Sequence, residues 1–258
     1  MNDHRRIPGE VPDERNWVHI LDPNDTWTQG QLASWCTDDL TDLEYIEITE
    51  ALYLERLLPA AMNAAFPLVK RKVETSMAKH GPVEEATIRL QDFDRTIKIV
   101  TMLLHRAGQY PSLESRKRLL KMRFQVAQHD IFAGRSTNAD HQVTGTAVTG
   151  TKKGKVRGKL ILALDPFGAT GGSADEALGE YNDEDLRGAR GIIFINMIVV
   201  PEYLERIAKI RARLVIPVSV VALRQDGGLT KVQYVCKPGG GDAGRKLSGL
   251  DDEEKWAH

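Results

Sequence analysis

The chain has 258 residues, 41% of them hydrophobic, with 35 basic and 36 acidic residues and a formal net charge of −1. That length is ample for one large domain with its own core and does not demand two. The balanced charge speaks against wholesale binding to nucleic acid or to a membrane surface. No apolar run reaches the roughly 20 residues that a membrane-spanning helix needs. The polar start MNDHRRIPGEVPDER has no apolar core of a signal peptide. Two cysteines far apart, Cys36 and Cys236, give no disulfide framework, so a reducing cytoplasm is the expected setting.

Residues 1–15, charged and carrying Pro8 and Pro12, are expected to form a flexible arm, and 250–258 a polar tail, leaving one domain over 16–249. Trp17, Trp27 and Trp35 cluster ahead of the first long helix and are expected in core or subunit packing. From 41 to 58, Leu43, Ile46, Leu52, Leu54 and Leu58 recur with mainly helical spacing. Pro59 ends or kinks that helix, and 60–79 reads as further helix interrupted around Pro67. After Gly81, short apolar, β-branched runs alternate with polar helical segments. Strands are expected at 97–104, 129–133, 159–164, 191–200 and 214–221, and helices beginning at Ser112, Ser173 and Pro201. Ser is a good N-cap, and Pro suits the first helical turn. Strands that are apolar throughout imply burial on both faces of a sheet. The alternation of strand and helix gives an α/β domain with a mostly parallel sheet.

The most informative segment is KLILALDPFGATGGSADEAL, residues 159–178. An apolar strand stops at Asp165; Pro166 and Phe167 follow, then the small residues Gly168, Ala169, Thr170, Gly171 and Gly172, and a helix starts near Ser173. At the carboxyl end of such a strand, backbone N–H groups of the loop and first helical turn converge. The glycines put no side chain in the way, and Thr170 and Ser173 offer hydroxyl donors. The helix dipole adds positive potential at the same point, which favours an anion such as a phosphate. No Lys follows the glycines, which excludes the P-loop pattern, and the Gly-x-Gly-x-x-Gly dinucleotide spacing is absent. Asp165 would repel a phosphate unless it faced another group, and sugar hydroxyls or a Mg²⁺ ion are the natural candidates. A phosphate cradle beside an acid for ribose hydroxyls describes a phosphoribosyl site. An ordinary strand-to-helix turn uses Gly and Ser for backbone reasons alone, and spacing leaves both readings open.

Arg116, Lys117, Arg118, Lys121 and Arg123 make a dense basic run, to be read as a solvated helix face or as a contact for RNA or an anionic effector. The histidines show no metal-ligand spacing with Cys, Asp or Glu, and nothing near Cys236 in sequence marks it as an activated nucleophile.

The loop DPFGATGGS resembles the one that uracil phosphoribosyltransferases write as Asp-Pro-Met-Leu-Ala-Thr-Gly-Gly-Ser. Five further segments are similar to motifs of that family, in the family's order. VHILDP at 18–23 resembles Val-His-Val-Leu-Asp-His-Pro, and HRAG at 105–108 resembles Leu-Arg-Ala-Gly. HDIFAGR at 129–135 falls where the family has His-Ile-Gly-Leu-Tyr-Arg, and VVPEYLERI at 199–207 looks like Ala-Ala-Pro-Glu-Gly-Leu. KPGGGDAGRKLSG at 237–249 resembles Val-Pro-Gly-Leu-Gly-Asp-Ala-Gly-Asp-Arg-Leu-Phe-Gly.

The resemblance implies a type I phosphoribosyltransferase fold, a mostly parallel twisted sheet flanked by helices, with a helical N-terminal part (16–80) and a core with a small base-binding hood (81–249). It implies transfer of a phosphoribosyl group from phosphoribosyl pyrophosphate to uracil or a related base by a homodimer. Residues Asp165 through Ser173 would grip the ribose hydroxyls and 5'-phosphate, and Arg106 and Arg135 the pyrophosphate, where a guanidinium's fixed fork of donors suits a departing anion. His105 would touch pyrophosphate or serve packing. Gly241, Asp242 and Ala243 would meet the base and the donor, and Cys236 stands where an Ile binds uracil through its backbone. Mg²⁺ would be held mainly by the pyrophosphate, and an anionic nucleotide effector is in keeping with the family.

This chain departs from the pattern in the part that reads the base. Lys237 replaces an apolar residue, where it either suits an acidic ring or points to solvent, and Gly240 replaces a Leu. The approach RQDGGLTKVQ differs from Asp-Glu-Gly-Leu-Asn, and the segment after Arg135 lacks the family's Glu-rich hairpin. These departures leave room for a different acceptor, or for a nucleotide-binding member without turnover.

Overall fold

The computed structural model describes residues 17–37, 39–66, 68–74, 79, 87–104, 107–137, 143–230, 236–239 and 247, of which 71–74, 87–91, 133–137, 143, 144, 146 and 237 by backbone alone. Its centre is a twisted sheet built from β-branched, apolar runs. β4 (Lys98–Leu104), β7 (Lys159–Leu164), β9 (Gly191–Val199) and β10 (Val218–Gln225) are mutually parallel neighbours or near neighbours in it. With the short β1 (Val18–Ile20), β5 (Val126–Thr137) and β6 (Val143–Lys152), the order is β1-β10-β9-β7-β4-β5-β6. All pairs along it are parallel except β5 with β6. Every residue of β9 is buried, as expected for a central strand covered on both faces.

The two covering layers come from different parts of the chain. One face carries the N-terminal helices: α1 (Thr26–Trp35), α2 (Asp42–Leu52), a π turn (Tyr53–Leu57), α3 (Leu58–Ala65), and then α4 (Gln109–Lys121). The other carries α5 (Gly172–Gly179), α6 (Asp183–Arg187) and α7 (Pro201–Leu214). A capping box starts α2: Glu44 N–H donates to Thr41 Oγ1 at 3.3 Å, while Thr41 N–H donates to Glu44 Oε2 at 2.9 Å. Pro59 neither ends nor sharply breaks this helix. The turn before it widens instead, with Leu58 N–H reaching Tyr53 O five residues back, and a π turn of this kind absorbs the donor that proline lacks. Among the described residues no helix is long and apolar enough to cross a membrane.

Several expectations need correction. The helix expected to continue through 79 stops at Ala65, and β2 (Leu68–Glu74) follows, paired antiparallel with β3 (Thr87–Phe93). The segment 68–74 is helix-compatible in isolation; the partner some twenty residues on decides it. The strand expected at 214–221 begins only at Val218, because α7 runs to Leu214 and Val215 takes a left-handed φ of 54° before Pro217. β5 is longer than expected, and the segment after Arg135 returns as β6, so a hairpin forms here without the Glu-rich sequence. α4 starts at Gln109 rather than Ser112, whose hydroxyl instead donates to Met102 O at 3.3 Å.

Trp35 is fully buried, stacks on Tyr45 at 5.0 Å, and donates its indole N–H to Thr49 Oγ1 at 2.9 Å. Trp27 stays at the surface with the Arg56 guanidinium 4.3 Å over its ring, and Trp17 meets Arg211 instead. Trp35, and Trp17 partly buried against the same core, thus take the packing role expected of them, while Trp27 lies at the surface.

Candidate functional site

In chain order the parallel strands β4, β5, β7, β9 and β10 run outward in opposite directions from the boundary between β4 and β7. Such a switch point leaves a crevice at the carboxyl ends of the strands, because the two following loops diverge to opposite faces. Here those loops are the one after Leu104, with HRAG, and the one after Leu164, with DPFGATGGS. Gly108, at the end of the first loop, is packed onto the ends of both strands: a Cβ on it would lie 2.2 Å from Leu164 O and 2.7 Å from Leu104 O. No other residue type fits that approach.

The second loop is held from both sides. Asp165 N–H donates to Ile195 O at 3.1 Å, and Asn196 Nδ2 donates to Asp165 O at 2.7 Å, which anchors the residue to β9 through its main chain. Phe167 N–H donates to Asp165 Oδ1 at 3.2 Å, closing an Asx-type turn. The two-residue strand β8 (Phe167–Gly168) then pairs with the end of β9. The Phe167 ring lies 5.3 Å from Trp35 of the N-terminal layer. On the other side Gly168 abuts Tyr203 of α7, so closely that a Cβ would stand 2.7 to 2.9 Å from three ring atoms.

Gly171 is the N-cap of α5 with φ 73°, a left-handed conformation that only glycine takes without strain. It offers no side-chain cap, and Ser173, expected to start the helix, lies within its first turn. Thr170 Oγ1 accepts from Gly172 N–H at 3.3 Å. The first turn of α5 thus brings N–H groups without intrahelical acceptors, and the positive end of its dipole, to the loop. Asp165, Phe167, Thr170, Gly171, Ser173 and Tyr203 share one small cleft there. An anion fits its glycine end, and a group with hydroxyls or a cation fits the Asp165 end.

Beneath the cleft lie polar groups that periodicity did not flag. Tyr53 and Tyr203 are buried, and burial first, then the Asp165 carboxylate, holds both phenols well above the ordinary tyrosine range. Asn196 is fully buried in β9. Its signal was in the sequence, as the polar residue inside the apolar run GIIFINMIV. Tyr203 was visible as well, since it stands where the resembling motif has Gly, just as Gly168 stands where that motif has Leu.

Of the remaining expected residues, Cys236 is buried, and its Sγ donates to Gly168 O at 3.9 Å, which brings β12 (Cys236–Lys237) onto the loop. Arg135 is placed by its backbone in β5, opposite Thr146 and beyond Ile131, the last residue paired with β4. Arg106, His105, Gly240, Gly241, Asp242 and Ala243 lie outside the described residues. In the basic run, Lys117, Arg118, Lys121 and Arg123 are exposed, with Lys117 paired to Glu114 at 2.5 Å, and Leu119 turns the other face of α4 inward. Arg116 is half-buried, and the exposure of the other four is compatible with either reading of the run.

His129, in the motif that ends at Arg135, is buried and structural. Gly154 N–H donates to its Nε2 at 3.1 Å, so the ring proton sits on Nδ1, 2.7 Å from Tyr181 Oη. Burial, and next the charge of Lys159, lower its pKa from 6.5 to about 4. The neutral ring is therefore the folded form, and its contribution is complete above pH 6.5 and lost as pH falls towards 4. By pH 5 it should cost the fold about 2 kcal/mol. Urea unfolding at pH 7.5 and pH 5 measures this, and His129→Gln should remove that part of the difference.

A parallel sheet with a small-residue loop and a helix start at its switch point defines an α/β protein whose crevice at the carboxyl ends of the strands suits an anion. Residues 54–249 match the uracil phosphoribosyltransferase family, and the chain belongs to that family. It is 37% identical over 90 residues to the uracil phosphoribosyltransferase of Acholeplasma laidlawii, 35% of this chain and 39% of that one. To that of Thermus thermophilus it is 40% identical over 91 residues, 35% of this chain and 40% of that one. The matched stretches thus span about two fifths of these relatives' own length. The AQ2163 protein from Aquifex aeolicus shares the fold, with a TM-score of 0.70 over 91% of this chain and 99% of its own, at 19% identity.

Proposed function

We propose that the protein transfers a phosphoribosyl group from phosphoribosyl pyrophosphate to uracil or a closely related base, giving the nucleoside monophosphate and pyrophosphate. The observation that carries this reading is the Asp165 to Ser173 cleft at the switch point of a chain in this family. The glycine end, with Thr170 and Ser173, takes the 5'-phosphate, and Asp165 takes the ribose diol. A ring nitrogen of the base attacks C1 of the ribose as the C1–O bond to pyrophosphate breaks, and the ring proton is lost as the product forms. The transition state has oxocarbenium character and needs no covalent intermediate, so the protein's part is positioning and charge stabilisation. Arg106 and Arg135 are assigned to the pyrophosphate, and Asp242 with Gly241 and Ala243 to the base and the donor.

Mg²⁺ would lower the charge of the pyrophosphate when bound to it. Among the described residues no three His, Cys, Asp or Glu side chains are grouped to hold a metal. Asp165, a single carboxylate at the mouth of the cleft, suits a cation held mainly by substrate oxygens. The same reading makes the protein a cytoplasmic homodimer.

The test is a panel of bases with phosphoribosyl pyrophosphate, following pyrophosphate release. Turnover with uracil supports the proposal, and no product with any pyrimidine sinks it. The replacement of an apolar residue by Lys237 favours a second reading, an acidic ring as acceptor, which orotate or a carboxylated purine precursor in the same panel would reveal. Binding of phosphoribosyl pyrophosphate without turnover would instead mark a regulatory nucleotide-binding protein.

A further inference from the structure

The 236–239 segment, just before the residues that the proposed function assigns to the substrates, is tied to the sheet by two side chains that open the RQDGGLTKVQ stretch. β10 ends in Arg224-Gln225, and Asp226 follows. Asp226 is 5% exposed, unusual for a carboxylate, and Arg224 is half-buried beside it. The Arg224 guanidinium donates Nε to Asp226 Oδ1 at 2.6 Å and Nη2 to Asp226 Oδ2 at 3.3 Å, a two-pronged pair.

Both partners then reach the same residue. Gly239 N–H donates to Asp226 Oδ2 at 2.8 Å, and Arg224 Nη2 donates to Gly239 O at 3.1 Å. A carboxylate and a guanidinium thus supply the acceptor and donor that a neighbouring strand's C=O and N–H would supply. Gly239 itself makes a tight turn, with φ 72° and its Cα so near Cys236 O that a Cβ would lie 2.4 Å from it. On the far side of Arg224, Nη1 lies 3.8 Å from Cys36 Sγ, just past α1, which holds the guanidinium from the N-terminal layer.

A second tie secures the other strand of the hood. β11 (Gly228–Leu229) pairs antiparallel with β12, and Leu229 N–H donates to Glu202 Oε1 at 3.3 Å at the start of α7. The same α7 presents Tyr203 to Gly168, so hood and phosphate loop are referenced to one helix end. Cys236 closes the arrangement on Gly168 O.

We infer that Arg224 and Asp226 are positioning residues for the acceptor base: as a side-chain clamp on Gly239, they set where the 236–239 segment, with Cys236, stands relative to the Asp165 loop. This rests on the transferase reading given above. A buried ion pair contributes little to net stability against a well-packed apolar pair, but it fixes geometry, and the loss of one partner leaves the other charge unmatched. The clamp therefore acts first on base affinity, because the Asp165 loop has its own main-chain anchors on β9 at Ile195 and Asn196.

The experiment is steady-state kinetics of Arg224→Gln, Arg224→Lys and Asp226→Asn with the base that the wild type accepts. Arg224→Gln and Asp226→Asn should each raise KM for the base about tenfold, the worth of one charged hydrogen bond. KM for phosphoribosyl pyrophosphate should stay within about twofold. Arg224→Lys, which keeps the charge and one donor, should recover part of the loss. Amide hydrogen exchange at Gly239 provides a readout without turnover, and Asp226→Asn should speed it about tenfold relative to a reference amide in β9. Equal rises in both KM values, or an unchanged KM for the base, would overturn the inference. So would Gly239 protection that survives in Asp226→Asn. If the wild type turns over no base at all, the transferase reading fails, and the exchange at Gly239 still decides whether the clamp exists.

Discussion

Asp165→Asn should lower kcat/KM for phosphoribosyl pyrophosphate by roughly 100-fold, the worth of one or two charge-assisted hydrogen bonds to a diol. The substitution leaves the local frame in place. Asp165 is fixed by its main chain, through Ile195 O and Asn196 Nδ2, and an Asn carbonyl can accept from Phe167 N–H as Oδ1 does now. Stability should change by no more than about 1 kcal/mol. Initial rates at varied phosphoribosyl pyrophosphate, paired with urea unfolding, separate the two effects. A variant with full activity would show that this carboxylate does not hold the sugar.

The second large effect concerns a pair of residues whose sizes are exchanged relative to the resembling motifs, which have Leu at the place of Gly168 and Gly at the place of Tyr203. In this protein the Tyr203 ring, 3% exposed, occupies the space beside Gly168, and even a methyl group there would meet it at 2.7 Å. Gly168→Leu alone should destabilise the fold by about 3 kcal/mol or more, as overpacking against an aromatic side chain with no free space does. Tyr203→Gly alone opens a cavity and should cost about 4 kcal/mol, in the range for a buried aromatic lost to a small residue. Together they should cost much less than the sum, because the leucine fills what the tyrosine vacates. A double-mutant cycle by urea unfolding measures the coupling. Additive losses would mean that the two positions do not share one space.

The same swap explains how the loop keeps its shape while its sequence drifts. Phe167 leans on Trp35 and Gly168 on Tyr203, so the cradle is clamped between the N-terminal layer and α7 rather than braced by its own side chains. Its small residues are free to meet a ligand for that reason.

Much of the fold was legible where local chemistry and global position agree. The run KLILAL reads as a buried strand and is one, over its full expected length. Pro201 starts α7 because a residue without an N–H costs nothing in the first turn. The run of glycines after Asp165 announced a strand-to-helix turn, and Gly171 with its left-handed φ is the N-cap of that turn.

What the chain alone determined, then, was the succession of buried strands and the one turn whose small residues and helix start suit an anion, since periodicity, glycine and proline act through neighbours in sequence. Tertiary structure alone decided the rest. The hairpin of Leu68–Glu74 with Thr87–Phe93, the shared space of Gly168 and Tyr203, and the grip of Arg224 and Asp226 on Gly239 all join residues far apart along the chain. Each depends on a partner's exact distance, and a hydrogen bond or a steric limit has no meaning until folding has brought that partner within a few ångströms.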